Sequence, residues 1–185
     1  NSDGKFRGLV SMKKALANSI NTVSARLIDE VGAPAVVEMA KNLGVTSDIP
    51  NRPAIALGAV EITVEEMVAA FSTFANEGVY IKPQLITRIE DKNGVVIYQG
   101  VEESHDVVNK DVAYSIIKLM EGVTESGTGS RLRWAASAPS NFLTGVPYNI
   151  KGPVAGKTGT SQNNSDGWFI GMVPNLAAGV WVGNE

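Results

Sequence analysis

The sequence predicts an α+β fold of the α/β sandwich type, an antiparallel sheet packed with helices. Three observations carry that expectation. Amphipathic helical patterns dominate the first two thirds of the chain, short β-rich runs fill the last third, and only a few residues connect those runs. A parallel crossover needs a dozen or more residues, so short connections imply antiparallel neighbours.

The elements follow in order. Ser11 suits the N-cap of a helix over "MKKALAN", and a second helical pattern runs from Thr22 to about Val31, stopped by Gly32. Val23, Leu27, Ile28 and Val31 share one face of it. Pro34 fits the first turn of a third helix with Val36, Val37, Ala40 and Leu43 as its apolar stripe and Gly44 as its stop. Residues 45–62 read mostly as loop around Pro50 and Pro53. Thr63 and Glu66 then form a capping-box pattern ahead of Met67, Ala70, Phe71 and Phe74, a helix ending near Gly78. "QLITRIE" and "VVIYQG", joined by Asp91-Lys92-Asn93-Gly94, predict a β-hairpin. A helix over about Asp111 to Val123 spaces Ile116, Leu119, Met120 and Val123 for burial, and Gly127-Thr128-Gly129 breaks it. "VAGKTGT", "GWFIGMV" and "AAGVWVG" are the predicted sheet strands, separated by "SQNNSD" and "PNL". The segments are thus a helical block at about 9–78, a hairpin at 84–100, a helix at 110–123 and sheet strands at 153–185.

Composition excludes several classes. The 185 residues are 44% hydrophobic and 19% charged, enough to bury a core and unlike a disordered chain. A formal charge of −3 lacks the basic surplus of a nucleic-acid binder. The absence of cysteine excludes disulfides, thiolate metal sites and a cysteine nucleophile. His105, the single histidine, sits in a polar stretch from Glu102 to Asp106 that reads as exposed loop, with no second histidine to build a metal site, and no cofactor is implied. No apolar run approaches the roughly 18 residues of a membrane span. The chain opens on Asn1 and is expected to be a piece of something longer.

The stretch "AGKTGTS" at 155–161 poses the chemical question. A phosphate loop needs four residues between its first glycine and the Gly-Lys pair, but Gly152 and Gly156 enclose only Pro153, Val154 and Ala155. Pro153 also removes a backbone N–H from the cradle, and no helix follows. Two readings remain for Lys157. It can be a sheet lysine among closely packed glycines, or a cation that, with Thr158 and Thr160, receives an extended substrate ending in a carboxylate along a strand that Gly159 leaves uncrowded. Far upstream, Ser19-Ile20-Asn21 interrupts what would otherwise be one long helix. Asn18 or Ser19 can cap the next helix, or the polar pair can belong to a site. Trp168, Phe169 and Trp181 read as packing residues rather than a stacking set, and Asp166 as a loop-turning residue rather than a catalytic acid.

Taken together, Lys157-Thr158-Gly159-Thr160 and Ser19-Ile20-Asn21 resemble two of the three signature motifs of penicillin-binding proteins and serine β-lactamases. "LVSMKKALANSINTVSARL", "ALGAVEITVEEMVAAFSTFANEG", "GTG" and "GKTGTSQNNSDGWFIGMVPNLAAGVWVG" look, in order, like segments of the transpeptidase domain of class A, bifunctional penicillin-binding proteins. Class A β-lactamases are less similar, since they usually carry Ser-Asp-Asn. The resemblance implies a partial transpeptidase domain over 1–185, its N-terminal part missing. It further implies a serine acyl-enzyme formed on the D-Ala-D-Ala end of a peptidoglycan stem peptide or on a β-lactam, at the extracytoplasmic face of the bacterial membrane, which is the periplasm in a Gram-negative cell. Carried over by position, the resemblance implies that Ser19 helps relay protons to the leaving group and Asn21 holds a substrate amide. It likewise implies that Lys157 sets the electrostatics of the cleft, that Thr158 and Thr160 bind the carboxylate, and that Thr160 N–H forms half of the oxyanion hole.

The resemblance also implies a nucleophilic Ser-x-x-Lys upstream of Ser19 and much further from it than this chain allows. Ser11-Met12-Lys13-Lys14 is too close and Ser115-Ile116-Ile117-Lys118 follows in the wrong order, so both are expected to be decoys. The missing part would supply the serine, its lysine, the rest of the oxyanion hole and the first sheet strands, leaving an exposed edge. The related expectations are DD-carboxypeptidase or β-lactamase-like hydrolysis, or a non-catalytic binding or sensor module on the same fold.

Overall fold

The structure, a computed structural model, describes residues 4, 6–134, 149–161 and 165–183. Helix α1 (Met12–Ala17) begins where its sequence says it should, the Ser11 hydroxyl accepting the Lys14 N–H at 3.3 Å. Helices α2 (Asn21–Val31) and α3 (Ala33–Asn42) follow, with Pro34 in the first turn of α3. The apolar face predicted for α2 is only partly covered: Ile28 is buried, whereas Leu27 and Val31 remain exposed.

The segment 45–62 is more ordered than a plain loop. Pro53–Leu57 makes a 3-10 turn that packs on α2, and the carboxylate of Glu66 gathers the segment's start. Its Oε1 accepts from Thr46 N, Thr46 Oγ1 and Ser47 N at 2.7–2.8 Å. Its Oε2 accepts from Ser47 Oγ, Thr63 N and Thr63 Oγ1 at 2.6, 3.0 and 2.9 Å. Thr63 Oγ1 accepts in turn from Glu66 N, completing the predicted capping box of α4 (Val64–Ala75). Burial pushes the Glu66 carboxyl up, but the hydrogen bonds from Ser47, Thr46 and Thr63 prevail and hold it well below the carboxylate range.

Strand β1 (Val79–Ile81) comes next, then the hairpin of β2 (Arg88–Glu90) and β3 (Val96–Gln99), whose register shifts at Ile89/Glu90. Strand β4 (Ser104–Asp106) returns to pair with β1. His105 therefore does not lie in a loop. It sits opposite Tyr80 in this ribbon, its ring 5.1 Å from the tyrosine ring and its Nε2 2.8 Å from Asn42 O.

Helix α5 (Lys110–Glu125) is capped by Asn109, whose side chain accepts from Val112 N at 2.9 Å. Strands β5 (Ala155–Thr160), β6 (Asp166–Val173) and β7 (Leu176–Gly183) form an antiparallel sheet in the order β5-β6-β7, as the short connectors require. Positions 162–164 of the predicted "SQNNSD" connector, and 184–185 at the end of the predicted strand region, lie outside the described residues. Among the described residues the β structure comprises this three-stranded antiparallel sheet and two two-stranded antiparallel ribbons. The core forms where α1, α4 and α5 meet the sheet: Met120, Ala155 and Met172 are buried there, packed by Leu16, Phe71, Phe74 and Ile116. β7 carries exposed Leu176, Val180 and Val182 and has no second neighbour among the described strands. No helix among the described residues is long and apolar enough to cross a membrane.

Candidate active site

The break between α1 and α2 is built by a particular backbone device. Ser19 N–H donates to Leu16 O at 3.1 Å and Ile20 N–H to Ala15 O at 3.0 Å, the two reversed bonds of a Schellman ending. That ending places one residue in the left-handed region, a position usually taken by glycine. Here it is Ser19, with φ of +50°. Ile20, the residue after the turn, is buried as such a motif favours, and α2 starts at Asn21 with no side-chain cap. Asn18 is committed to the end of α1, its Nδ2 donating to Lys14 O at 3.0 Å. Neither Asn18 nor Ser19 caps α2. A left-handed serine costs on the order of 1 kcal/mol relative to glycine, a strain typical of functional positions.

The Ser19 hydroxyl meets the other motif directly. Lys157 Nζ donates to Ser19 Oγ at 2.9 Å across 138 positions of sequence, and to Thr158 O at 2.7 Å. Burial pushes the half-buried Lys157 ammonium below its ordinary value. Among the described residues these bonds use two of its three protons, leaving one for a ligand. Because Ser19 Oγ accepts from the ammonium, its own proton remains free to donate.

Thr158 and Gly159 are half-buried and Thr160 is exposed, in β5, whose far edge has no strand partner among those described. The bareness of Gly159 has a packing reason too, since a Cβ there would sit 3.1 Å from Trp168 Cβ on the paired strand. Asn21 is exposed at the first position of α2. The residue that sequence reasoning missed is Thr128. Its Oγ1 lies 2.6 Å from Thr158 Oγ1, and its N–H donates to Ala17 O at 3.0 Å. The only signal was the "GTG" string, which reads equally well as a helix stop.

The two Ser-x-x-Lys strings are occupied otherwise. Ser11 caps α1. The Ser115 hydroxyl donates to Asp111 O at 2.7 Å within its own helix, while Lys118 holds Glu121 at 2.8 Å. Asp166 is the first residue of β6 and accepts the Trp181 indole N–H at 2.9 Å. Trp168 and Trp181 face one another across the β6–β7 pair, 6.5 Å between rings. Cavities of about 450 Å³ lie elsewhere: one lined by Val68, Ser72, Pro83 and Gln84, another by Lys118, Glu121, Arg133 and Pro153.

A lysine held between a serine hydroxyl and an open strand edge lined with threonines presents cation, hydroxyls and backbone N–H groups to an extended anionic ligand. The penicillin-binding protein transpeptidase domain family model matches residues 1–183, and the chain belongs to that family. It is 37% identical over 185 residues to penicillin-binding protein 1A of Aquifex aeolicus, covering all of this chain and 23% of the relative. It is 34% identical over 190 residues to penicillin-binding protein 1A of Clostridium acetobutylicum, covering 22% of that protein. The chain thus spans less than a quarter of the length of either. Among solved structures it is similar to the PonA1 protein of Mycobacterium tuberculosis in complex with penicillin V, with TM-score 0.81 and 27% identity over 100% of this chain and 50% of that one. The fold is also that of penicillin-binding protein 1A from Haemophilus influenzae, with TM-score 0.83 and 21% identity over 99% of this chain and 31% of that one.

Proposed function

We propose that residues 1–185 form one wall of the active site of a peptidoglycan DD-transpeptidase. In this reading the parent protein cross-links stem peptides through a serine acyl-enzyme, binds β-lactams, and works at the extracytoplasmic face of the bacterial membrane. The observation that carries the proposal is the 2.9 Å bond from Lys157 Nζ to Ser19 Oγ, which joins the two motif segments into one site.

The chemistry assigns each group a task. A serine outside this chain, activated by its lysine, attacks the penultimate D-Ala carbonyl. The new O–C bond forms, the D-Ala–D-Ala C–N bond breaks, and the departing amine takes the proton that Ser19 donates. Thr158 and Thr160 hydroxyls and the free Lys157 proton receive the terminal carboxylate, while Thr160 N–H supports the oxyanion. Asn21 holds the substrate amide. An acceptor amine then attacks the ester and releases the serine. Residues 1–185 alone neither acylate nor transfer.

The parent protein, incubated with a D-Ala-D-Ala stem peptide and an amine acceptor, should give cross-linked product in excess of hydrolysed peptide. Ser19→Ala should lower the acylation rate about a hundredfold or more, the usual size of a lost proton-transfer group. Hydrolysed peptide alone would instead identify a carboxypeptidase, and an unreactive parent would leave a binding module.

A further inference from the structure

The site contains a closed circuit of contacts that the two motifs do not explain. From Ser19 it passes to Lys157 by the ammonium bond, then along the chain to Thr158. From Thr158 Oγ1 it crosses 2.6 Å to Thr128 Oγ1. From Thr128 N–H it reaches Ala17 O at 3.0 Å, two residues before Ser19. Thr128 spends both its backbone donor and its hydroxyl on this bridge, linking the end of α1 to β5. Gly127 makes the approach possible: a Cβ there would lie 2.1 Å from Ala17 O, closer than any real side chain tolerates. The loop is therefore seated against α1, and Thr128, although exposed, directs its hydroxyl to Thr158.

The direction of the hydroxyl–hydroxyl bond matters. Each threonine hydroxyl has one proton and two lone pairs. If Thr158 donates to Thr128, its proton is consumed and it meets a ligand only as an acceptor, which repels a carboxylate. If Thr128 donates, the Thr158 proton is free, and its donation is strengthened by the bond it accepts. An anion on the β5 edge selects the second arrangement.

We propose that Thr128 is a positioning residue for carboxylate recognition, donating its hydroxyl proton to Thr158 Oγ1 so that Thr158 presents its own proton to the substrate carboxylate. This rests on the transpeptidase reading above and adds to it a residue that acts through Thr158. Valine at 128 keeps the shape and the backbone bond to Ala17 but removes the donor. Serine keeps the donor.

The test uses the full-length parent protein and second-order acylation rates for benzylpenicillin and for its methyl ester, in which the carboxylate is masked. The wild type should prefer the acid. Thr128→Val should reduce the acid-to-ester ratio about three- to tenfold, the effect of one neutral hydrogen bond, and Thr128→Ser should restore most of it. A ratio is independent of the fraction of protein that is folded, so a merely structural role would lower both rates and leave it unchanged. That outcome, with normal acylation of the wild type, overturns the inference alone. A wild-type parent that the acid does not acylate overturns the transpeptidase reading and this inference with it.

Discussion

At Ser19 the backbone and the hydroxyl make opposite demands, and a pair of substitutions separates them. Ser19→Ala and Ser19→Gly both delete the hydroxyl and with it the Lys157 bond, so that loss cancels between them. What remains is the backbone at φ of +50°. A Cβ in the left-handed region costs about 1–2 kcal/mol. Glycine gives back about 0.5–1 kcal/mol through its greater freedom in the unfolded chain. The glycine variant should therefore be the more stable by about 0.5–1 kcal/mol, the reverse of the order at an ordinary helical position. Urea unfolding of the parent's transpeptidase domain reads the difference, and penicillin acylation should fall to a similar extent in both variants. An alanine variant more stable than the glycine variant by a similar margin would refute the Schellman assignment. It would also remove the argument that serine is kept there, against its backbone preference, for its hydroxyl.

Three further outcomes follow from named contacts. Glu66→Gln replaces one carboxylate oxygen, which accepts from three donors, with a donor of its own; the loss should be about 2–4 kcal/mol at neutral pH, since bonds to a charged acceptor are worth about 1.5–3 kcal/mol each and do not add. Because the folded carboxyl is held below its ordinary 4.5, the difference between wild type and variant should be full above that pH and shrink as the pH falls further. At Lys157 burial lowers the folded value from 10.5. Acylation that needs the ammonium should decline on an alkaline limb beginning below 10.5, while the lysine's own contribution to stability grows as the pH rises across the same window; a limb at or above 10.5 would contradict the burial. In the "GTG" turn, Gly127→Ala must push aside a carbonyl 2.1 Å from its Cβ, whereas Gly129→Ala makes ordinary contacts with a Val123 methyl and the Val123 carbonyl oxygen at 3.4 Å and with the Phe169 ring at 3.6 Å. Thermal or urea unfolding should show the first variant less stable by about 2–4 kcal/mol, as overpacking plus a lost hydrogen bond, and the second nearly unchanged.

What was legible in the sequence was what local chemistry decides. The Thr63/Glu66 box, the Ser11 cap and the short connections between the last three strands each state their outcome within a few residues, and each appears as expected. The β1–β4 ribbon was not legible, because each strand has three residues without alternation and its partner lies beyond an intervening hairpin. Periodicity also assigned Leu27 and Val31 to a covered face that the described residues leave exposed: a helical pattern says which side chains share a side, not what lies against it. At the site, motif spacing singled out Ser19 and Lys157, and the structure joins them. It did not reveal that serine occupies a glycine-type turn, since a left-handed non-glycine residue leaves no mark in composition. Nor did it reveal Thr128, whose partners are set by the docking of α5 against α1 and β5.

The most direct test of the account is to locate the acylated residue. Digestion and mass spectrometry of the parent protein after reaction with benzylpenicillin should place the adduct on a serine outside residues 1–185, with adduct formation strongly reduced by Lys157→Ala. An adduct on Ser11 or Ser115, or labelling indifferent to Lys157, would contradict it.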